Sequence, residues 1–472
     1  MKYPSLPENV KRGGESVISG IPDWTGLVVT NENEESYMPG VDPATVIGYS
    51  QSMSLQNGIV QTNVTWKPKG RDTVFQMNYT VLAHRTRVNL GLVRLDIAVD
   101  GPTRFTVTDV LDGAGATRAH FGDKEFTDQW IWTSVKPWGI EITTAYVGST
   151  VRFSGLTGEE IEEVRMSQKE AMDRKWVSQN LSTISQSWDF EFRDPGCRTF
   201  SIYKYAGIAS SDAFPKKAQS TAFHTSLEAA DTPWDVLLQE HTEAWDASWD
   251  QADIVIPDNE ELQILTRGSL FHLLANARPG TEGKGLGDNS IMVGGLSSDS
   301  YAGLIFWDSD VWMYPSLLLL QPDYAKSINN YRSRLLPQAI ENAQSYNYSG
   351  LLFPWTSGRF GNCTGTGLCK DYQYHLDHGV AQSHWNYYLH TKDEAWLREK
   401  GWPIIKNAAD MFANYVVKNT SNGLYETKLL GEPVSAMPRF RHMISGILTL
   451  SRMNSLTILI MEHTLMRALR CC

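Results

Sequence analysis

The chain has 472 residues, of which 42% are hydrophobic and 20% are charged, a balance that is ordinary for a globular protein. This length allows two or three domains. The net charge of −11 disfavours contact with phosphate backbones, so we expect no nucleic-acid partner. We also expect no membrane span, because the best apolar stretch, 444–466, is interrupted by polar and charged residues.

The first part of the chain has the apolar period of β-strands. Apolar and polar residues alternate strictly over 75–81, which predicts a strand with one buried face. The same alternation recurs over 95–99 and 201–205, and turn formers such as Asp100-Gly-Pro separate the segments. Many short strands with such turns predict an antiparallel β-sandwich, which we place at 1–210.

The apolar period changes to that of helices after residue 211. Trp234, Leu237 and His241 follow one another at helical spacing, which predicts a helical linker over 211–255. Further helices are predicted at 324–343, 378–389 and 394–416. Loops rich in Gly, Trp and Asp connect them, so the sequence favours an array of helical hairpins over 256–430.

Three stretches of the helical part carry candidate chemistry. The stretch from Gly294 to Pro315 combines aspartates with aromatic residues: Asp299, Asp308, Asp310, Tyr301, Phe306, Trp307, Trp312 and Tyr314. The stretch 351–361 contains Trp355 and Arg359, and the stretch 371–375 ends in His375. Sugars present hydroxyl rims and apolar C–H faces, so a sugar site needs carboxylates beside aromatic planes. The pattern indicates a carbohydrate-binding or carbohydrate-active protein.

Each of these residues also has an ordinary structural explanation. Tryptophans mostly fill protein cores, and a single Trp-Asp pair is more often structural than sugar-binding. Asp310 is also a candidate helix cap, His375 a candidate core histidine, and Arg359 a candidate partner for a neighbouring acid. Composition alone leaves both interpretations open.

Long motifs in a fixed order resemble those of a known family. GLSSDSYAGLIFWDSDVWMYP, FPWTSGRFGNCTGTGLC and DYQYH, with GGESVISGIPDWTGL near the N terminus, resemble glycoside hydrolase family 65 and its fungal acid trehalase branch. The resemblance covers roughly 13–430. It implies a multidomain β + α fold, with an N-terminal antiparallel β-sandwich, a helical linker and an (α/α)6 barrel, incomplete in this chain.

The resemblance also implies a substrate and a reaction. The implied substrate-binding residues are Phe306, Trp307, Asp308, Trp355, Arg359 and His375. The implied reaction is the inverting hydrolysis of the disaccharide α,α-trehalose to glucose, without a cofactor or metal. Inversion needs a protonated carboxyl group and a carboxylate base, about 6.5–9.5 Å apart. A disaccharide phosphorylase of the same family and a non-catalytic carbohydrate-binding remnant stay as alternatives.

The C-terminal part departs from the family. Its catalytic acid is the Glu of a Pro-Asp-Glu motif, and this motif does not occur in the sequence. Glu432, in Gly-Glu-Pro, has the wrong neighbours to replace it. Codons can be chosen for 452–472 so that a shifted frame restores the motif, which suggests a retained intron and an aberrant tail over 431–472. We therefore expect this chain to be inactive, with its catalytic acid and base unidentified.

Sequons and cysteines suggest an exported protein. Six Asn-x-Ser/Thr sequons are candidate glycosylation sites, at Asn63, Asn78, Asn180, Asn347, Asn362 and Asn419. Cys363 and Cys369 bracket a flexible loop and form either a disulfide or two free thiols. We expect no zinc site, because no second Cys/His pair has ligand spacing. By the resemblance the protein is secreted, bound to the cell wall or vacuolar. The N terminus lacks a signal peptide, so we expect a truncation there.

Overall fold

The computed structural model describes residues 19–423 and 425–427, with gaps at 71–72, 141, 194–195, 296–299 and 363–372. Asp299, the cysteines Cys363 and Cys369, and the predicted aberrant tail 431–472 therefore lie outside the described residues.

The strands of the described chain pair in antiparallel ladders. Their bounds are β1 Leu27–Asn31, β2 Ser36–Tyr37, β3 Val46–Met53, β4 Val60–Trp66, β5 Phe75–Ala83, β6 Leu90–Asp100, β7 Thr103–Leu111, β8 Ala119–Phe126, β9 Ile131–Pro137, β10 Ala145–Ser154, β11 Lys169–Glu170, β12 Ile184–Phe192, β13 Cys197–Ser210, β14 Val416–Lys418 and β15 Tyr425–Thr427. One sheet has the order β11-β12-β7-β1-β2, a second has the order β3-β4-β5-β6-β13-β10-β9-β8, and β14 pairs with β15.

The two large sheets enclose an aromatic core. Phe105 of the smaller sheet stacks on Phe190 with 5.1 Å between ring centroids and 3° between ring planes. From the larger sheet, Phe75 meets Phe105 edge to face at 5.4 Å. Strict alternation places these side chains on the inner faces, so their burial drives the pairing of the sheets.

Helices follow the sandwich. Their bounds are α1 Gly158–Met166, α2 Ala218–Ala230, α3 Trp234–Gln251, α4 Glu260–Asn276, α5 Tyr314–Leu320, α6 Pro322–Arg334, α7 Leu336–Gln344, α8 His375–Thr391, α9 Glu394–Trp396 and α10 Trp402–Tyr415, with π-helical turns at Ser309–Met313 and Leu397–Gly401. Helix α2 packs against the larger sheet at Gly207, where a Cβ atom would lie 1.9 Å from the carbonyl oxygen of Ala222. Only glycine allows this close approach.

A turn of the sandwich docks onto the helical part. The buried guanidinium of Arg85, between β5 and β6, donates to the carbonyl of Leu274 at 3.1 Å and to the hydroxyl of Tyr324. It also lies 4.4 Å from the centroid of the Trp245 ring. The backbone N–H of Arg85 donates to Nδ1 of His241 at 3.0 Å. One residue of the sandwich thus joins α3, α4 and α6.

The predicted fold class, an antiparallel β-sandwich followed by a helical part, is confirmed. The last strand of the sandwich ends at Ser210. The single helix predicted over 324–343 is wrong in detail, because α6 ends at Arg334 and α7 starts at Leu336. Pro337 in the first turn of α7 has no N–H to continue the hydrogen-bond ladder of α6.

Candidate functional site

The three sequence stretches with candidate chemistry come together in the structure. Ile305 and Ser357 exchange two backbone hydrogen bonds, each 2.9 Å long, which join the first stretch to the second. The third stretch ends at His375, the first residue of α8. The predicted site residues therefore share one region, although up to 69 positions separate them along the chain, from 306 to 375.

An aromatic cluster forms the centre of this region. The rings of Trp307 and His375 meet edge to face, with centroids 4.7 Å apart. Trp355 lies 6.3 Å from Trp307 and 5.7 Å from His375. Phe306 contacts Trp355 edge to face at 5.9 Å. All four side chains are half-buried, so the cluster is packed on one side and accessible on the other.

Asp308 follows Trp307 and precedes the π-helical turn Ser309–Met313. Its side chain is half-buried. Burial is the main cause that raises the pKa of Asp308 above its usual value, and the nearby charge of Asp310 adds to it. A half-buried carboxylate beside indole rings is suited to accept hydrogen bonds from sugar hydroxyls.

Asp310 has a different role from Asp308. It is buried and forms an ion pair with Arg332 of α6, with 2.6 Å between Oδ2 and Nη2. Nε of Arg332 donates to the other carboxylate oxygen at 3.2 Å. Asp310 accepts from the same guanidinium on both oxygens, so of the two aspartates described in this stretch, Asp308 keeps the greater access to solvent.

His375 lies against both tryptophans of the cluster. Burial, together with the nearby His378, lowers the pKa of His375, so its imidazole is neutral near pH 7. Its Nε2 atom is buried and has no hydrogen-bonding partner among the described residues. Buried polar atoms usually have a partner, so this nitrogen is available to a ligand hydroxyl.

Arg359 lies in an ion pair between the two parts of the protein. Its guanidinium donates to both carboxylate oxygens of Asp212, which lies between β13 and α2, and the Nη2–Oδ1 distance is 2.9 Å. The hydrogen bond from Arg359 is the main cause that lowers the pKa of Asp212. Pairing with an acid, one of the two interpretations that the sequence left open, is thus observed, and a role of Arg359 in binding substrate stays a prediction.

Sequence analysis did not single out Arg332, Asp377 or Asp212. Asp377 of α8 is fully buried, and its Oδ1 accepts from the backbone N–H of Phe353 at 2.8 Å. Arg332 falls at helical spacing with the buried Ala325 and Ile328, so a charge on an apolar stripe was the available signal.

Within the described ranges, no three His, Cys, Asp or Glu side chains are grouped closely enough to hold a metal ion. Among the described helices, none has the length and apolarity to cross a membrane.

Half-buried indole rings beside a carboxylate are typical of sites that bind carbohydrate. Comparison with known sequences identifies the family. Residues 3–248 match the N-terminal domain of glycosyl hydrolase family 65, and residues 267–432 match its central catalytic domain. The chain belongs to glycosyl hydrolase family 65.

Relatives with known names agree with this assignment. The chain is 35% identical over 439 residues to the acid trehalase of Emericella nidulans, which covers 87% of this chain and 40% of the relative. It is 34% identical over 447 residues to the cell wall acid trehalase of Candida albicans, covering 91% of this chain and 39% of the relative. The chain thus spans about 40% of the length of these relatives.

Two other relatives have different names. A kojibiose hydrolase of Flavobacterium johnsoniae is 35% identical over 236 residues, which covers 49% of this chain and 33% of the relative. Among solved structures, a putative kojibiose phosphorylase from the human microbiome superposes with a TM-score of 0.71 at 15% identity, covering 86% of this chain and 51% of that one. At this identity the superposition supports the fold alone.

Proposed function

We propose that this chain forms the glucosyl-binding part of a glycoside hydrolase of the acid trehalase type, whose substrate is α,α-trehalose. The observation that carries the proposal is the aromatic cluster of Trp307, Trp355 and His375 with Asp308 beside it. The acid trehalases of two fungi, which resemble this chain over 87% and 91% of its length, support the choice of trehalose.

Each residue of the site has a proposed task. The indole faces of Trp307 and Trp355 contact the apolar C–H faces of the glucosyl ring. The carboxylate of Asp308 accepts hydrogen bonds from two adjacent hydroxyls, and charge-assisted bonds of this kind are stronger than neutral ones. The neutral imidazole of His375 forms one hydrogen bond with a hydroxyl through Nε2. The proposed task of Arg359, which pairs with Asp212 in this structure, is to bind the substrate.

The hydrolytic step needs a protonated carboxyl group and a carboxylate base, and neither is identified in this chain. No Pro-Asp-Glu occurs in the sequence, so the residue that protonates the leaving group in the family has no counterpart here. A general acid contributes about 10²–10⁴ to the rate. We therefore propose that the 472-residue chain alone binds trehalose without hydrolysing it.

Two experiments with the purified chain test these proposals. Calorimetry should show binding of trehalose, and substitution of Trp307 or Trp355 by Ala should abolish it. Trp138, which is exposed on the sandwich beside His120, gives a matched control, because its replacement by Ala should leave binding unchanged. No binding by the wild-type chain, or an equal loss in the Trp138 variant, contradicts the proposed site.

Product analysis separates the alternatives. Glucose released from trehalose in water contradicts the proposal that this chain is inactive. Glucose 1-phosphate formed in phosphate buffer identifies the phosphorylase. Binding without either product agrees with the proposal and also with the alternative of a non-catalytic carbohydrate-binding remnant.

We also propose an exported location. The exposed sequons at Asn63, Asn180 and Asn347 would be accessible to glycosylation, and acid trehalases that resemble this chain carry the names cell wall or periplasmic.

A further inference from the structure

Arg332 is a fully buried cation in the wall of the site. It lies in the last turn of α6, and its side chain is 0% exposed. Besides its two bonds to Asp310, the guanidinium donates from Nη2 to the backbone carbonyl of Phe306 at 3.2 Å. Arg332 thus binds both ends of the five-residue turn Phe306–Asp310, which contains Trp307 and Asp308 of the proposed site.

The same side chain also contacts the second segment of the site, and its charge acts on a buried carboxyl of the third. Its Cζ atom lies 5.3 Å from the centroid of the Phe353 ring, two residues before Trp355. Asp377 accepts from the backbone N–H of Phe353 and lies two residues after His375. Burial raises the pKa of Asp377 well above its usual value, and the charge of Arg332 opposes this rise, so the two groups interact.

The chemistry of the guanidinium fits this task. A buried ion pair adds little net stability, because desolvation offsets most of the attraction. The planar guanidinium, however, presents its N–H donors in a fixed geometry, and here they reach two carboxylate oxygens and one carbonyl at the same time. Lysine has a single ammonium group and does not reproduce this fork.

We propose that Arg332 is a positioning residue of the sugar site, which sets the relative placement of the Phe306–Asp310 turn, the Trp355 segment and the start of α8. Arg332 contacts the first two segments directly and acts on the third through the charge of its guanidinium beside the buried Asp377, so it acts on the sugar only through these segments. The inference rests on the proposed function for its ligand. The geometric part, the placement of Trp307 and Trp355, is measurable without any ligand.

Arg332→Lys in the full chain tests the inference, and Asn329→Ala is its matched control. Asn329 lies on the same helix, is also 0% exposed, and hydrogen-bonds Tyr314 at 3.0 Å and Ser383 at 3.0 Å, away from the site. Both substitutions disturb a buried polar group of α6, so both should lower the melting temperature.

The variants should differ at the aromatic cluster. The chain is labelled with 5-fluorotryptophan, and the ¹⁹F resonances of Trp307 and Trp355 are assigned from single Trp→Phe variants. Arg332→Lys should shift both resonances and weaken trehalose binding by about tenfold or more, whereas Asn329→Ala should leave both unchanged. Asp310→Asn keeps the size of the side chain but removes its charge, and should act in the same direction as Arg332→Lys.

The outcomes separate the two proposals. Unchanged Trp307 and Trp355 resonances in Arg332→Lys, or equal shifts in Asn329→Ala, overturn the positioning role. Should Arg332→Lys fail to fold, unchanged resonances in Asp310→Asn overturn it as well. Failure of the wild-type chain to bind trehalose contradicts the proposed function alone, because the resonances still report on the placement of the two tryptophans.

Discussion

Lys204 and Asp109 form an ion pair inside the sandwich. Lys204→Met tests how much stability is lost when one partner of a buried ion pair is removed. Both side chains are 0% exposed, and 2.7 Å separates Nζ from Oδ1. The ammonium group also donates to the carbonyls of Gly26 at 3.0 Å and Val110 at 2.8 Å. Methionine has a similar volume, so the substitution removes the charge and the donors while leaving little cavity.

The expected loss of stability follows from the groups left behind. Without Lys204, the Asp109 carboxylate keeps donors from Ser149 at 2.7 Å and Gln186 at 2.9 Å but loses its counter-charge. Breaking one side of a buried ion pair costs about 3–5 kcal/mol. Each carbonyl that loses its donor adds about 1 kcal/mol. We therefore expect Lys204→Met to lower the free energy of unfolding by about 5 kcal/mol or more.

Urea denaturation followed by tryptophan fluorescence measures this loss. Lys169→Met is the matched control, because Lys169 and Asp189 form an ion pair of nearly equal length, 2.8 Å, with side chains that are 52% and 48% exposed. Its loss should cost below about 1 kcal/mol. Equal effects of the two substitutions would refute the reasoning. Replacing Asp109 by Leu together with Lys204→Met should restore part of the stability, since no unpaired charge remains but the polar groups that bonded to the pair stay without a partner.

Three further predictions concern the site and the surface. Because burial raises the pKa of Asp308, trehalose affinity should fall on acidification at a higher pH than an exposed Asp would give, about 3.9, and calorimetry across pH should show no such fall for Asp308→Asn. Peptide mapping after expression in a secretory host should find glycan on the exposed Asn347 and none on Asn362, which is 5% exposed. Thiol titration under denaturing conditions should find Cys363 and Cys369 unreactive until a reductant is added; reaction without it would contradict the disulfide.

The sequence predicted the sandwich because its strands are half-buried. Such strands alternate polar and apolar residues, and the alternation over 75–81 corresponds to β5, Phe75–Ala83. The content of aromatic and polar residues marked the three stretches as candidates, the resemblance to the family implied that they share a site, and the structure brings the rings of Trp307, Trp355 and His375 together. The period of apolar residues and the local content of aromatic and polar residues are both properties of short segments.

Contacts between segments that are far apart in the sequence could not be predicted from such patterns. The partner of Arg359 is Asp212, 147 positions away, and no local signal marks Asp212. The importance of Arg332 comes from its burial between α6 and the loops, which depends on how the helices pack. A charged residue on an apolar stripe is visible in a sequence, but its ion-pair partner is decided by tertiary structure.

The docking of Arg85 has a consequence for attempts to dissect the protein. Expressing the helical part without residues 1–210 would remove the donors to the Leu274 carbonyl and the Tyr324 hydroxyl and would uncover the Trp245 indole. The isolated helices would then present an apolar and partly unpaired surface to the solvent. The sandwich thus covers a surface of α3, α4 and α6 that is aromatic and carries polar groups, and we expect the helical part to lose stability when it is produced without the sandwich.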